Sequence, residues 1–171
     1  MSASKLIARP LVALAALAVL AGCATGPTGS YGGSGSTAFN VDDFAWSTRQ
    51  GAASIDGSVD YRRDGEVFAC TGSVVLTPET GYTRNRFQTL YGSTERAAVP
   101  EAVVRARSVP DPNADYRTYV RQTTCENGRF SYTGLPDGRW FVIATVSAGG
   151  DRIVLMRRVE TRGGRRIPVT L

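Results

Sequence analysis

The sequence contains no histidine, which leaves its carboxylates as the candidate groups for general acid–base catalysis. The absence of imidazole excludes Ser-His-Asp and Cys-His arrangements and histidine-ligated metal sites. Glycoside hydrolysis needs two carboxylates on either side of the cleaved bond. Asp42 and Asp43 are adjacent, and Asp56 and Asp60 are expected on the solvent face of one strand, but the pattern sets no protonated acid opposite a second carboxylate. The sequence therefore predicts a protein that is not an enzyme, with a carboxylate-based hydrolase as the alternative.

One segment has the ligand spacing of a calcium-binding loop. Asp111, Asn113 and Asp115 match the first three ligand positions of an EF-hand. That loop also needs glycine where Tyr116 stands and a bidentate glutamate where Gln122 stands. Both requirements fail, so we expect an ordinary turn and neither a metal nor another cofactor.

The two tryptophans are candidate platforms for stacking sugars. Trp140 begins an apolar segment, Trp140 to Val146, which favours packing in the core. Trp46 lies close to the start of the folded domain and is expected to cover an edge of it, with sugar stacking as the alternative for both residues.

Arginines dominate the last twenty residues of the chain. The register that we expect is a β-hairpin closed by Gly163, Gly164 and Arg165, which directs Arg158, Arg162 and Arg166 to solvent. The same register leaves Arg157 on the core side without an explanation. We expect either a charged surface that keeps an edge strand from pairing with neighbours, or contact with anionic lipid headgroups, lipopolysaccharide or an acidic partner.

The N-terminus has the pattern of a bacterial lipoprotein signal. Lys5 and Arg9 precede an apolar run, Leu11 to Leu20, which is too short to span a bilayer but fits a signal peptide. Leu20-Ala21-Gly22-Cys23 then resembles the lipobox, in which the cysteine is acylated and becomes the new N-terminus. We expect a signal peptide over residues 1–22 and a lipid on Cys23.

Two cysteines remain after lipidation. Since an exported protein folds in an oxidising compartment, Cys70 and Cys125 are expected to form a disulfide, with two reduced buried thiols as the alternative. Residues 23–38 are expected to comprise the lipidated cysteine and a flexible Gly/Ser/Thr linker. The formal net charge of +5 derives in part from the signal peptide, so it does not indicate nucleic-acid binding.

Residues 39–171 have the pattern of one all-β domain. Short segments such as Ile55 to Arg62 and Tyr116 to Thr124 are each predicted to form one strand. Turn signals such as Asn127-Gly128 separate these segments, which is typical of a β-sandwich. The apolar segment from Trp140 to Val146 predicts a central strand. Residues 80–107 are expected to form a short helical insertion, because Phe87, Leu90 and Tyr91 have helical spacing.

Residues 53–171 resemble the carboxypeptidase regulatory-like domain, a transthyretin-like fold also called prealbumin-like. The resemblance rests on Ile55-x-Gly57-x-Val59, on Leu76-Thr77-Pro78, and on Asn127-Gly128-Arg129-Phe130-x-Tyr132-x-Gly134-Leu135-Pro136-x-Gly138-x-Trp140. It implies a Greek-key β-sandwich of seven strands in two sheets and carries no catalytic residue. Trp140 stands where the family has tyrosine, and residues 78–115 have no clear counterpart in its pattern.

These features together predict a lipid-anchored, non-enzymatic protein of the cell envelope. Its partners would be the membrane, reached through the lipid, and an anionic lipid, an envelope glycan or a protein. A purely structural envelope component is a further alternative. Ala24 follows Cys23 where aspartate often retains lipoproteins in the inner membrane, so we expect the outer membrane, facing the periplasm.

Overall fold

The computed structural model describes residues 37–107, 109 and 114–171. The predicted signal peptide, Cys23 and almost all of the linker, together with Asp111 and Asn113, lie outside the described residues. Nine strands are described: β1 Ala53–Ser58, β2 Tyr61–Arg63, β3 Glu66–Pro78, β4 Arg96–Pro100, β5 Arg121–Thr124, β6 Arg129–Leu135, β7 Gly138–Ala148, β8 Asp151–Thr161 and β9 Arg166–Thr170. The helices are α1 Gly81–Tyr91, α2 Glu101–Ala106 and the 3-10 helices Val41–Thr48 and Ala114–Tyr119.

The strands form two sheets that enclose one core. The larger sheet has the order β2-β3-β7-β8-β4, with β5 also paired to β3, and the smaller has the order β6-β1-β9. This confirms the predicted all-β sandwich with a small helical insertion. The described residues form nine strands where the resemblance implied seven, since β2 has three residues and β4 lies inside the insertion.

Successive side chains of a strand point to opposite faces of its sheet, and those that point between the two sheets form the core. Trp140, Val142 and Ala144 of the central strand β7 point inward and are fully or almost fully buried. In the smaller sheet Gly57 pairs with Phe130, and the Phe130 ring lies across the glycine. A Cβ atom on Gly57 would lie 1.9 Å from that ring, so this close approach requires glycine.

The insertion covers the outer face of the larger sheet. Thr80 begins α1 with a capping box to Thr83, and Gly92 ends it with φ 75°. Phe87 of α1 packs with Phe141 and Met156 in a second, smaller cluster of buried residues. The sequence has few strand signals in this region, yet β4 extends the larger sheet by pairing with β8.

Three local predictions, one continuous strand and two hairpins, are wrong because the chain crosses between the sheets. The single strand expected from Ile55 to Arg62 is divided at Val59 and Asp60, so that β1 and β2 lie in different sheets. The hairpin expected around Gly163-Gly164 does not form, since β9 pairs in parallel with β1. Asn127-Gly128 does make a tight turn, closed by a bridge between Glu126 and Arg129, but the flanking β5 and β6 also belong to different sheets.

A further prediction fails at the start of β5. Residues 116–124 were expected to form one strand, but only Arg121–Thr124 do so. The 3-10 helix Ala114–Tyr119 precedes them. Tyr116 of this helix packs against Tyr82 with ring centroids 5.5 Å apart, which indicates that tertiary contact overrides the β-propensity of the segment.

Candidate functional site

A buried carboxylate surrounded by arginines is the most concentrated group of charges in the described residues. The side chain of Glu79 is 2% exposed and lies between the end of β3 and the start of α1. It accepts hydrogen bonds from Arg84 on one oxygen and from Nε of Arg158, at 2.5 Å, on the other. Nε of Arg139 lies 3.8 Å from the second oxygen. We call these residues and Glu95, which binds Arg158, the Glu79 cluster.

Main-chain pairing positions the arginines of the Glu79 cluster. Arg139 and Phe141 lie on the outer face of β7, and Phe141 is opposite Arg158 on β8. Glu79 joins the same face because its backbone N–H donates to the carbonyl of Arg139 at 2.8 Å. The cluster thus connects two strands of the larger sheet with the insertion, since Arg84 lies on α1 and Glu95 directly precedes β4.

The electrostatics of Arg158 are dominated by its carboxylate partners. Burial by itself disfavours the charged guanidinium, but the hydrogen bonds and charges of Glu79 and Glu95 raise the pKa of Arg158 above its ordinary value. The Arg158 side chain is 22% exposed. Glu79 and Glu95 therefore cover part of the Arg158 side chain, which was expected to face solvent.

The other predicted arginine sites lie elsewhere. Arg162 is 79% exposed and pairs with Glu160 at 2.9 Å. Arg166, in the smaller sheet, is 80% exposed and pairs with Asp56 at 2.6 Å. Arg158 and Arg166 thus lie in different sheets. The contact of Arg158, Arg162 and Arg166 with an anionic surface stays a prediction.

The structure explains Arg157, whose position the sequence left open. Its guanidinium donates to the backbone carbonyl of Thr170 at 2.7 Å. Arg157 therefore connects β8 of the larger sheet to β9 of the smaller sheet at the edge of the sandwich.

The disulfide between Cys70 and Cys125 is confirmed. The two Cα atoms are 6.0 Å apart, within the range that a disulfide requires. The bond joins β3 to the loop after β5, where the N–H of Cys125 also donates to the carbonyl of Gly72 at 3.0 Å.

Two of the carboxylates considered for hydrolysis, Asp56 and Asp60, lie beside arginines. Asp56 binds Arg166, while Asp60 lies beyond the end of β1 and 3.8 Å from Arg62. Within the described residues, Glu79 is the buried carboxylate, and no group of three or more His, Cys, Asp or Glu side chains could hold a metal ion.

The two tryptophans pack against each other. Trp140 is fully buried and donates from Nε1 to the hydroxyl of Thr161 at 3.1 Å. Trp46 is half-buried and meets Trp140 edge to face, with ring centroids 4.8 Å apart. It also lies directly on Gly138, where an added Cβ would be 2.1 Å from its ring. Trp140 belongs to the core, and Trp46 covers an edge of it.

Sequence reasoning missed Glu79, Arg84 and Arg139. Glu79 appears in the sequence as a single acid between Pro78 and the cap of α1, which is an ordinary turn composition. Its three arginine partners are 5, 60 and 79 positions further along the chain. No local pattern could have joined them, because the pairing of β3, β7 and β8 brings them together.

The fold is a β-sandwich with a helical insertion, and a disulfide joins β3 to the loop after β5. In the described residues, no helix is long and apolar enough to cross a membrane. No family model matches the chain, and no curated protein is similar to it in sequence. The resemblance to carboxypeptidase regulatory-like domains therefore rests on the motifs alone.

A solved structure from Pseudomonas aeruginosa has a similar fold. It is PA1324, a protein proposed to bind carbohydrate. The TM-score is 0.58 and the sequence identity is 21%, and the match covers 78% of this chain and 97% of PA1324. At this identity the similarity concerns the fold.

Proposed function

We propose that this chain is a lipid-anchored, non-enzymatic protein of the bacterial cell envelope whose β-sandwich binds carbohydrate. The observation that carries the proposal is the fold shared with PA1324, which is itself proposed to bind carbohydrate. Because the match includes nearly the whole of PA1324, the comparison concerns a complete domain rather than a common substructure.

Two features of the chain support its proposed location in the cell envelope. Cys23 lies in a lipobox that follows a basic and then an apolar segment. The Cys70–Cys125 disulfide suits an oxidising compartment outside the cytoplasm. Ala24 favours the outer membrane, where the domain would face the periplasm.

The arginine partners of the carboxylates favour a binding function over hydrolysis. Glu79 is buried and arginines occupy both of its carboxylate oxygens, so it is not directed at a substrate as a general acid would be. Asp56 and Asp60 are each paired with an arginine as well. A hydrolase would need one protonated carboxyl group directed at the substrate.

A glycan array tests the proposal. The full chain, purified in detergent and labelled, is applied to neutral and acidic oligosaccharides beside labelled detergent micelles without protein. We expect binding above the micelle control to one subset of glycans. If the protein has its β-sheet circular dichroism and binds none of them, the carbohydrate proposal is wrong and a purely structural role in the envelope is favoured.

A further inference from the structure

The Glu79 cluster has more positive than negative charge. Three guanidinium groups, on Arg84, Arg139 and Arg158, face the carboxylates of Glu79 and Glu95. The arginine side chains are 46%, 30% and 22% exposed, respectively, so solvent and ligands can reach them. Glu79, in contrast, is buried and inaccessible to a ligand.

Glu79, the buried member of the cluster, holds the arginine side chains in place. A buried carboxylate that pairs with guanidinium groups on both oxygens fixes their planes, which reduces the entropy lost when a second anion binds them. Guanidinium groups match carboxylates in geometry and can bind them with two parallel hydrogen bonds. The partly exposed arginines are therefore preorganised to bind the carboxylate of a ligand.

Glu95 already occupies part of this position. Its carboxylate accepts from Nη1 of Arg158 at 2.8 Å, although the side chain is 66% exposed. The backbone carbonyl of Glu95 is held separately by the N–H of Arg158 at 2.8 Å. The side chain can consequently rotate away from Arg158 without any movement of the backbone.

We propose that the Glu79 cluster binds the carboxylate group of an acidic sugar, and that Glu95 occupies the site in the unbound protein. The ligand carboxylate displaces Glu95 from Arg158 and is bound by Arg84 and Arg139 as well. Gln88 lies one helical turn after Arg84 and is exposed, so its amide can bond to sugar hydroxyls beside the carboxylate. This inference rests on the proposed binding of carbohydrate and adds the class of sugar and its site.

The position of the Glu79 cluster in the chain supports a specialised role. Arg84 and Glu95 belong to the insertion and Glu79 directly precedes it, and all three lie in residues 78–115, which have no clear counterpart in the motifs shared with carboxypeptidase regulatory-like domains. Arg139 and Arg158 belong to the sandwich itself. The site thus depends on the feature that distinguishes this chain from the simple sandwich.

Two substitutions with opposite expected effects test the inference. The full chain in detergent is titrated with oligogalacturonate and with its methyl ester, which lacks the negative charge. Arg84→Gln should weaken oligogalacturonate binding about tenfold, in line with the loss of one charge-assisted contact. Glu95→Gln should strengthen it severalfold, because a neutral amide competes less for Arg158. The ester should bind at least tenfold more weakly than the acid.

Arg105→Gln is the matched control. Arg105 is an exposed arginine on α2 that pairs with Glu101 at 2.9 Å, as the arginines of the Glu79 cluster pair with theirs. Its removal should change the affinity less than twofold. The thermal midpoints of all three variants, followed by circular dichroism, show whether each one is folded.

The outcomes separate this inference from the proposed function. If the protein binds sugars but Glu95→Gln does not strengthen binding, or Arg84→Gln behaves like Arg105→Gln, the proposed site is wrong while carbohydrate binding stands. Equal binding of acid and ester overturns the site in the same way. If no sugar binds and vesicles containing phosphatidylglycerol bind through Arg84 instead, both the inference and the carbohydrate proposal fail.

Discussion

At the scale of single residues, Tyr132 shows how a buried polar group is satisfied between the two sheets. Its hydroxyl, on β6 of the smaller sheet, donates to the backbone carbonyl of Val74 on β3 of the larger sheet at 2.6 Å. The side chain is buried, and burial raises the pKa of Tyr132 above its ordinary value of 10.0. The folded protein therefore favours the neutral phenol, which can act as a donor.

This predicts a characteristic loss of stability in alkali. Above about pH 10 the unfolded chain releases the Tyr132 proton while the folded chain retains it, so the free energy of unfolding falls by about 1.4 kcal/mol per pH unit from this group. Tyr132→Phe should lower stability at pH 7 by about 1–2 kcal/mol, because the carbonyl of Val74 loses its partner. Its stability should then decline less steeply between pH 9 and 11.

Urea unfolding followed by circular dichroism measures both effects. Burial also raises the pKa of Tyr91, to about 12, and this contribution is present in both proteins. The difference in slope between wild type and variant therefore isolates Tyr132. Parallel curves from pH 9 to 11 would contradict the assignment.

At the scale of elements, the disulfide secures the short strand β5. This strand has four residues and pairs with Ser73 to Leu76 of β3. Such a short strand has little hydrophobic burial of its own, since its residues alternate between half-buried and exposed. The Cys70–Cys125 bond is immediately beyond the paired residues and keeps the two strands together.

Replacing both cysteines with serine should lower stability substantially. The two residues are 55 positions apart, and a loop of that size corresponds to about 4 kcal/mol in the chain-entropy model. For a domain of this length the midpoint of thermal unfolding should fall by roughly 10–15 °C. Calorimetry of the wild type with and without reductant provides the comparison, and reductant should leave the double variant unchanged. A wild type that is unaffected by reductant would show that the bond contributes no stability.

At the scale of the whole molecule, the N-terminal cysteine is predicted to hold the domain at a membrane. About 0.8 kcal/mol is gained for each buried methylene of an acyl chain, so two or more chains provide a stable anchor. The described domain begins about fourteen residues after Cys23, and the segment between them is rich in glycine, serine and threonine. This arrangement would keep the sandwich near the membrane surface and free to bind.

Cys23→Ser should abolish acylation and leave the precursor uncleaved by the lipoprotein peptidase. Metabolic labelling with a fatty-acid analogue in the expressing bacterium checks this, followed by separation of membrane and soluble fractions. Cys70→Ser is the control, because it removes a cysteine without affecting the lipobox. Equal labelling of wild type and Cys23→Ser would refute the predicted anchor.

The sequence by itself determined which residues face the core and which strand is central. Alternation along β1 and β6 predicted their buried faces, and the apolar segment after Arg139 predicted that β7 is covered on both sides. Cysteine parity predicted the disulfide, and the spacing of Phe87, Leu90 and Tyr91 predicted α1. The strand faces and the helix depend on a period of two or of 3.6 residues, which is a local property, and the disulfide depends on a count of cysteines.

Only the tertiary structure decided which sheet each strand joins. A turn such as Asn127-Gly128 or Gly163-Gly164 fixes the direction of the chain over a few residues, but whether the next strand pairs with its neighbour or crosses to the other sheet depends on the packing of the whole core. That choice placed β9 beside β1 and separated Arg158 from Arg166. It also brought Glu79 to Arg139 and Arg158, so the proposed binding site exists only because distant strands pair.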